Sequence, residues 1–416
     1  MDKKYCLDTY ENKALMEFFG NELLLFGKRF PASGGESYYL GEDGTPWTER
    51  PRETWITSRM AHVYSIGALL GKEGCFELAQ KAINGLRETL KDTANGGWFA
   101  GVTKEGTPLP NKQCYAHAFV ILAASSGKNA KIPGAEELLE EALDTYDRYF
   151  WDEENQLAYD TWNTEFTVLD SYRGLNANMH TVEAFLAVAD AKIKDRLSVG
   201  IEGEDKYRIR AGKIIEKVLL FAKNNEYRIP EHYSEKWEPD LECNKDKPDD
   251  PFKPYGATPG HGIEWARLII QWAVSTYGKN SAEAKEYITE AEKLYQRAIA
   301  DAWNVDGARG IVYTTDWQGS PVVHDRMHWT LAEAINTAAV LFRATQKEEY
   351  AKDYSEFVQY LDEIVWDHDK GSCFHQMDRE NKVMNTVWPG KSDLYHAFQA
   401  TLIPYSDISR SIAACV

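Results

Sequence analysis

A short pattern recurs along this chain and limits what it can fold into. An apolar helix end runs into an aromatic residue, a tight turn follows, and a second aromatic closes it. The pattern stands at Gly96-Gly97-Trp98-Phe99, and at Phe150-Trp151-Asp152 followed by Leu157-Ala158-Tyr159. It returns at Ala302-Trp303-Asn304 followed by Ile311-Val312-Tyr313, and at Val365-Trp366-Asp367 followed by Cys373-Phe374-His375. Each reads as the end of a helix entering a short β-hairpin. Trp98 to Tyr159 is 61 residues, and so is Tyr313 to Phe374. Between Tyr159 and Tyr313 lie 154 residues, room for two such units and an insertion, which the polar stretch 236–253 supplies.

Apolar residues at helical spacing predict helices over 10–26, 55–70, 75–90, 115–126, 135–150, 177–191, 207–224, 266–274, 282–303, 330–344, 348–366 and 394–402. Two helices and a hairpin in each unit make a helical repeat. The 416 residues hold about six helix pairs, and nothing between them reads as a linker. A single domain over 1–416 is therefore expected. A closed ring of helix pairs would gather the hairpins at one mouth; an open solenoid is the alternative.

The formal net charge of -18 argues against nucleic-acid and anionic-membrane partners, which attract basic surface. No apolar run is long enough for a membrane span, and the start, Met1-Asp2-Lys3-Lys4-Tyr5-Cys6, lacks a signal-type segment. The six cysteines are scattered with no Cys-x-x-Cys pair, as in a reduced cytoplasmic protein. A monomer and a homo-oligomer both stay open.

Chemistry-bearing residues gather at helix starts. Thr258-Pro259-Gly260-His261-Gly262-Ile263-Glu264-Trp265 follows a long polar segment, and Pro259-Gly260 lets the backbone turn sharply. If a helix begins there, His261 and Glu264 share a face, and a histidine beside a carboxylate suits proton transfer. Six of the ten histidines (62, 117, 180, 261, 328 and 396) fall near predicted helix starts. Taken singly, each reads as a satisfied buried histidine. Together, with Arg59, Trp55, Tyr115, Asn176 and Trp329 nearby, they resemble a sugar site, in which aromatic faces meet ring C–H groups and polar heads meet hydroxyls. A metal site has less support: no His-Glu-x-x-His run or facial carboxylate cluster appears. A nucleophile reading rests only on Cys114 near His117. A glycosidase would need two facing carboxylates, for which Glu264, Glu333 and Asp393 are candidates.

Four motifs together resemble the N-acylglucosamine 2-epimerase superfamily, in its aldose–ketose isomerase branch. They are Trp-Ile-Thr-x-Arg-Met-x-His-Val-Tyr-Ser at 55–65, Asn-Ala-Asn-Met-His at 176–180, Thr-Pro-Gly-His-x-Ile-Glu-Trp at 258–265 and Asp-x-Tyr-His at 393–396. The resemblance implies an all-α (α/α)6 barrel and a free monosaccharide as substrate, with no metal and no other cofactor. It implies His261 and His396 as the acid/base pair. Arg59, Tyr115, Asn176, His180, Glu264, Trp329, Gln376 and, at the head of the first motif, Trp55 are implied as substrate-contacting or supporting residues. Mannose–fructose isomerisation is the expected activity; 2-epimerisation and sulfoquinovose isomerisation are the alternatives. Sulfosugar-active members carry Arg ten residues before the catalytic histidine of the Pro-Gly-His motif and Gln before the Asp-x-Tyr-His motif. Here those positions are Pro251 and Ser392, while Lys253 is a nearby cation.

Overall fold

The computed structural model describes residues 2–193 and 205–416. Among them are twelve α-helices: α1 (Tyr10–Gly27), α2 (Thr54–Leu69), α3 (Cys75–Arg87), α4 (Cys114–Asn129), α5 (Ala135–Tyr149), α6 (Leu175–Ala191), α7 (Lys206–Lys223), α8 (Pro259–Tyr277), α9 (Ala282–Ala302), α10 (His328–Thr345), α11 (Glu348–Tyr360) and α12 (Tyr395–Ala400). Every predicted helix is present; the last is shorter than 394–402, and the helix predicted over 266–274 begins at Pro259. No helix among the described residues is long and apolar enough to cross a membrane.

Nine of these helices are of two kinds. α2, α4, α6, α8 and α10 are buried along nearly their whole length, polar and charged residues included. α3, α5, α9 and α11 are amphipathic. In α5 the buried residues Ala135, Leu138, Leu139, Ala142, Leu143 and Tyr146 form one stripe, with charged residues opposite. The chain divides into two compact units. The first is Met1–Leu23, Val218–Lys391 and His396–Ser409; the second is Leu24–Lys217, Ser392–Tyr395 and Arg410–Val416. In the first, α8 packs against α9 and α10, and α10 against α11. In the second, α2 packs against α3 and α4, and α4 against α5 and α6.

The recurring pattern is a hairpin at the end of each amphipathic helix. Lys91 bridges Trp98, Trp151 pairs with Ala158, Trp303 bridges Ile311, and Trp366 bridges Cys373. The acidic residue turns the chain. Asp92 Oδ1 accepts from the backbone N–H groups of Ala94 (2.9 Å) and Asn95 (3.0 Å), and Asp152 and Asp367 do the same in their own turns. At the third hairpin Asn304 takes the place, at φ 58°, and its side chain accepts from Gly310 N–H at 2.9 Å.

A second kind of strand pairing launches the buried helices. Arg52–Glu53 pairs with Gly101–Val102 before α2, Asn111–Gln113 with Thr161–Asn163 before α4, and Arg326–Met327 with Gln376–Met377 before α10. Each ladder fixes the first turn of a buried helix, where Trp55, Tyr115 and Trp329 stand.

Candidate active site

In the first unit α8 starts with Pro259 at its first position, where a missing N–H costs nothing. Gly260 is there for space: a Cβ would come within 2.8 Å of two Trp329 ring carbons and 2.7 Å of Thr330 Cγ2. That close approach lays the Trp329 indole beside two histidines, its ring centroid 5.0 Å from His261 and 5.7 Å from His396.

Both histidines are buried, and each has Nδ1 on a carboxylate. His261 Nδ1 lies 2.9 Å from Glu231 Oε1, and His396 Nδ1 lies 2.9 Å from Glu333 Oε1. The sequence reading expected Glu264 to orient His261. Instead Glu264 Oε1 accepts from Arg267 Nη2 at 3.3 Å, a pair three residues apart on one helix face. Arg267 also donates from Nε to Glu333 Oε2 at 2.9 Å. Glu264 and Glu333 have no exposed surface, and Arg267 has 2%. One guanidinium thus holds two buried carboxylates, each of which would otherwise cost several kcal/mol to desolvate, on the order of 5. Glu264, Glu333 and His396 bring one ligand atom each within 4.8 Å of one another, a spacing a cation could use. Arg267 already supplies positive charge to both carboxylates.

In the second unit Arg59 donates to Asp393 Oδ2 at 2.5 Å and to the Tyr115 hydroxyl at 2.8 Å. Its guanidinium lies 4.4 Å from the Phe119 ring centre, 4.7 Å from Tyr395 and 5.0 Å from Trp55. Trp55 Nε1 donates to Glu53, whose carboxyl is pushed up by burial. Tyr395 donates to Glu183, and His180 Nδ1 lies 3.5 Å from the same carboxylate. Tyr115 and His180 meet edge to face, with centroids 5.2 Å apart. Asn176 stands one turn before His180 on α6; its Oδ1 is buried and accepts no hydrogen bond from any described residue.

Gln376, in the first unit, spends its amide on the chain. Nε2 donates to Asp325 (2.6 Å) and Thr386 (2.8 Å), while Oε1 accepts from the N–H groups of Val387 and Trp388. It holds a loop in place.

Three of the six histidines are structural. His62 bonds Ser126 through Nδ1 at 2.7 Å, and burial holds its pKa down at about 4. His117 bonds the Gln113 carbonyl through Nδ1 and accepts from Trp98 N–H through Nε2, and burial takes it down to about 3. His328 stacks flat on His375 with centroids 4.0 Å apart. Cys114 is no nucleophile: its sulfur faces Tyr146, and burial pushes the thiol up to about 12. The glycosidase candidates are committed as well, Glu264 and Glu333 to Arg267 and Asp393 to Arg59.

Sequence reasoning missed Glu231 and Arg267, and did not pair Glu333 with His396, Asp393 with Arg59 or Glu183 with Tyr395. Arg267 was within reach as the residue three after Glu264, and Asp393 opens the last motif. Glu231 had no signal: it stands 30 residues before its partner, across the polar insertion.

The match to known proteins runs nearly end to end. The family model for N-acylglucosamine 2-epimerase matches residues 34–400. A D-mannose isomerase of Pseudomonas cannabina pv. alisalensis is 36% identical over 398 residues, 95% of this chain and 93% of that protein. One of Thermobifida fusca is 37% identical over 381 residues, 91% of this chain and 90% of that protein. A crystal structure of a D-mannose isomerase superposes with a TM-score of 0.84 at 25% identity, over 95% of this chain and 98% of that one. A cellobiose 2-epimerase from Spirochaeta thermophila shares the fold at TM-score 0.77 and 19% identity, over 95% of this chain and 98% of that one. The fold class is accordingly the expected all-α (α/α)6 type. The chain belongs to the N-acylglucosamine 2-epimerase family and is an isomerase enzyme of that family.

Proposed function

We propose that this enzyme interconverts D-mannose and D-fructose through a cis-enediolate, with the whole chain serving as its catalytic domain. The observation that carries the reading is the pair His261 and His396, each with Nδ1 on a buried carboxylate and both beside the Trp329 ring. An imidazole whose Nδ1–H is held by an acceptor presents Nε2 as the proton carrier. The relatives named D-mannose isomerase support the substrate.

The sugar ring opens first. His396 takes the proton from C2 of the open aldose, leaving an enediolate, and returns it to C1. One base serves both carbons because they lie on one face of the planar intermediate. His261 moves the hydroxyl proton from O2 to O1 and assists ring opening. The net change is one hydrogen from C2 to C1 and one from O2 to O1, so no oxidant or reductant is needed. Arg59, tied to Asp393 and Tyr115, would stabilise the oxyanion, a role worth about 3 kcal/mol in comparable sites. Tyr115, Asn176, His180 and Trp55 would contact the hydroxyls and ring, and the buried unpartnered Oδ1 of Asn176 supports its place among them. Trp329 would cover the apolar face of the sugar. Glu264 would act through Arg267, and Gln376 through its loop. All six cysteines are free thiols, in keeping with work in a reducing cytoplasm.

The test is product analysis by NMR after incubation with mannose. Fructose as the first product supports the reading. Glucose before fructose would make the enzyme a 2-epimerase.

A further inference from the structure

The two histidine–carboxylate pairs are alike in distance and unlike in charge. Glu333 shares its second oxygen with Arg267. Glu231 is 4% exposed, and its polar contact among the described side chains is His261 alone. A carboxylate removed from water with no cation beside it is costly unless a hydrogen-bond donor satisfies it.

The backbone around Glu231 is pinned on both sides. The Tyr233 hydroxyl donates to the Pro230 carbonyl at 3.0 Å. His232 Nε2 bonds the Pro254 carbonyl at 2.8 Å, which ties this segment to the far end of the polar insertion. That far end is anchored in turn: Ala257 bridges Thr315, one residue before the N-cap of α8. Both ends of the insertion are therefore fixed, one carrying Glu231 and the other leading to His261.

From this geometry we infer that Glu231 is the positioning residue of His261. It holds Nδ1–H, fixes the tautomer with Nε2 unprotonated, and accepts from the imidazolium formed in each turnover. The role rests on the isomerase reading for its purpose and on the 2.9 Å contact for its existence. It gives the segment just before the polar insertion a function: that segment carries the acceptor that aims one of the two proton carriers. The Arg267-shared carboxylate of His396 is a different electrostatic setting.

Two measurements test it. The first is nitrogen NMR of the enzyme labelled with 15N-histidine, with His261→Gln used to assign the signal. The wild-type ring should carry its proton on Nδ1, and a wild-type ring protonated on Nε2 would overturn the proposal. The second is the kinetics of Glu231→Gln and Glu231→Asp. With Gln, kcat should fall about a hundredfold or more, as when a histidine loses its tautomer-fixing carboxylate, with KM changed by less than about threefold. Asp should keep more activity than Gln. A Gln variant with the wild-type fold by circular dichroism and near-wild-type kcat would overturn the proposal. If neither variant folds, the wild-type tautomer still decides. If the wild type turns over no sugar at all, the isomerase reading fails while the tautomer result stands by itself.

Discussion

His396 Nδ1 and Glu333 Oε1 lie 2.9 Å apart in a buried pair, and the second oxygen of Glu333 accepts from Arg267 at 2.9 Å. Three ionisable groups from three helices thus form one line, ending at a candidate proton carrier. Cutting it at Glu333 has two consequences. Glu333→Ala frees the His396 ring and strips Arg267 of a partner in the core, and breaking a buried pair from one side typically costs about 3–5 kcal/mol. Urea unfolding should show a loss of that size together with loss of turnover. Glu333→Gln should keep most of the stability and still lose activity. Full activity in the Gln variant would remove Glu333 from the mechanism.

Arg59 is held by Asp393 and Tyr115 and lies among the rings of Trp55, Phe119 and Tyr395. Lysine keeps the charge but cannot reach both partners with one planar fork or stack in the same way. Arg59→Lys should therefore lower kcat/KM by roughly a hundredfold, about 2.7 kcal/mol of transition-state stabilisation. Steady-state kinetics on mannose checks this. A variant within threefold of wild type would mean that charge alone suffices there.

Acid should destabilise the fold through histidines that take no part in catalysis. Burial holds His62 at about 4 and His117 at about 3, against 6.5 in the unfolded chain. Below about 6.5 the unfolded chain therefore binds more protons than the folded one. Stability is lost as pH falls from there toward the folded values, by up to about 1.4 kcal/mol per pH unit for each histidine. Urea unfolding at a series of pH values should show this slope, and His62→Gln should make it shallower. An unchanged slope in the variant would mean that His62 is not buried in neutral form.

Much of this was legible in the sequence, for physical reasons. Phe150-Trp151-Asp152 and its counterparts could be read because an Asx turn is local chemistry: an acidic side chain bonds N–H groups two and three residues on. Pro259-Gly260-His261 could be read because proline marks a helix start. The reason for Gly260, the Trp329 ring pressed against it, became visible only in three dimensions. His62, His117 and His328 looked like His261 and His396 in sequence, and all five are buried; only their partners separate them, a hydroxyl, a backbone carbonyl and a stacked ring against two carboxylates. Glu231 stayed hidden because its partner is reached through a polar insertion without period or motif. Helical spacing even suggested the wrong carboxylate: Glu264 does share a face with His261, but Arg267 is the stronger partner on that face.

Metal independence is open to direct test. Turnover on mannose should survive dialysis against excess EDTA. Loss of all activity, restored by zinc or manganese, would contradict proton transfer by histidines alone and would direct attention to Glu264, Glu333 and His396.

The most direct test of the two-histidine mechanism is hydrogen exchange from D2O. His261→Ala and His396→Ala should each lose about two to four orders of magnitude in turnover. An open solvated cavity would leave both variants as stable as wild type. His261 and His396 are only 8% and 4% exposed and each bonds a carboxylate, so each variant should also lose about 1–3 kcal/mol of stability. Stability and activity therefore fall together, and exchange separates them. Wild-type enzyme should wash deuterium into C1 of fructose. His261→Ala should still do so slowly when given the open-chain ketose, and His396→Ala should not do so at all. Near-wild-type exchange in folded His396→Ala would contradict His396 as the carbon shuttle.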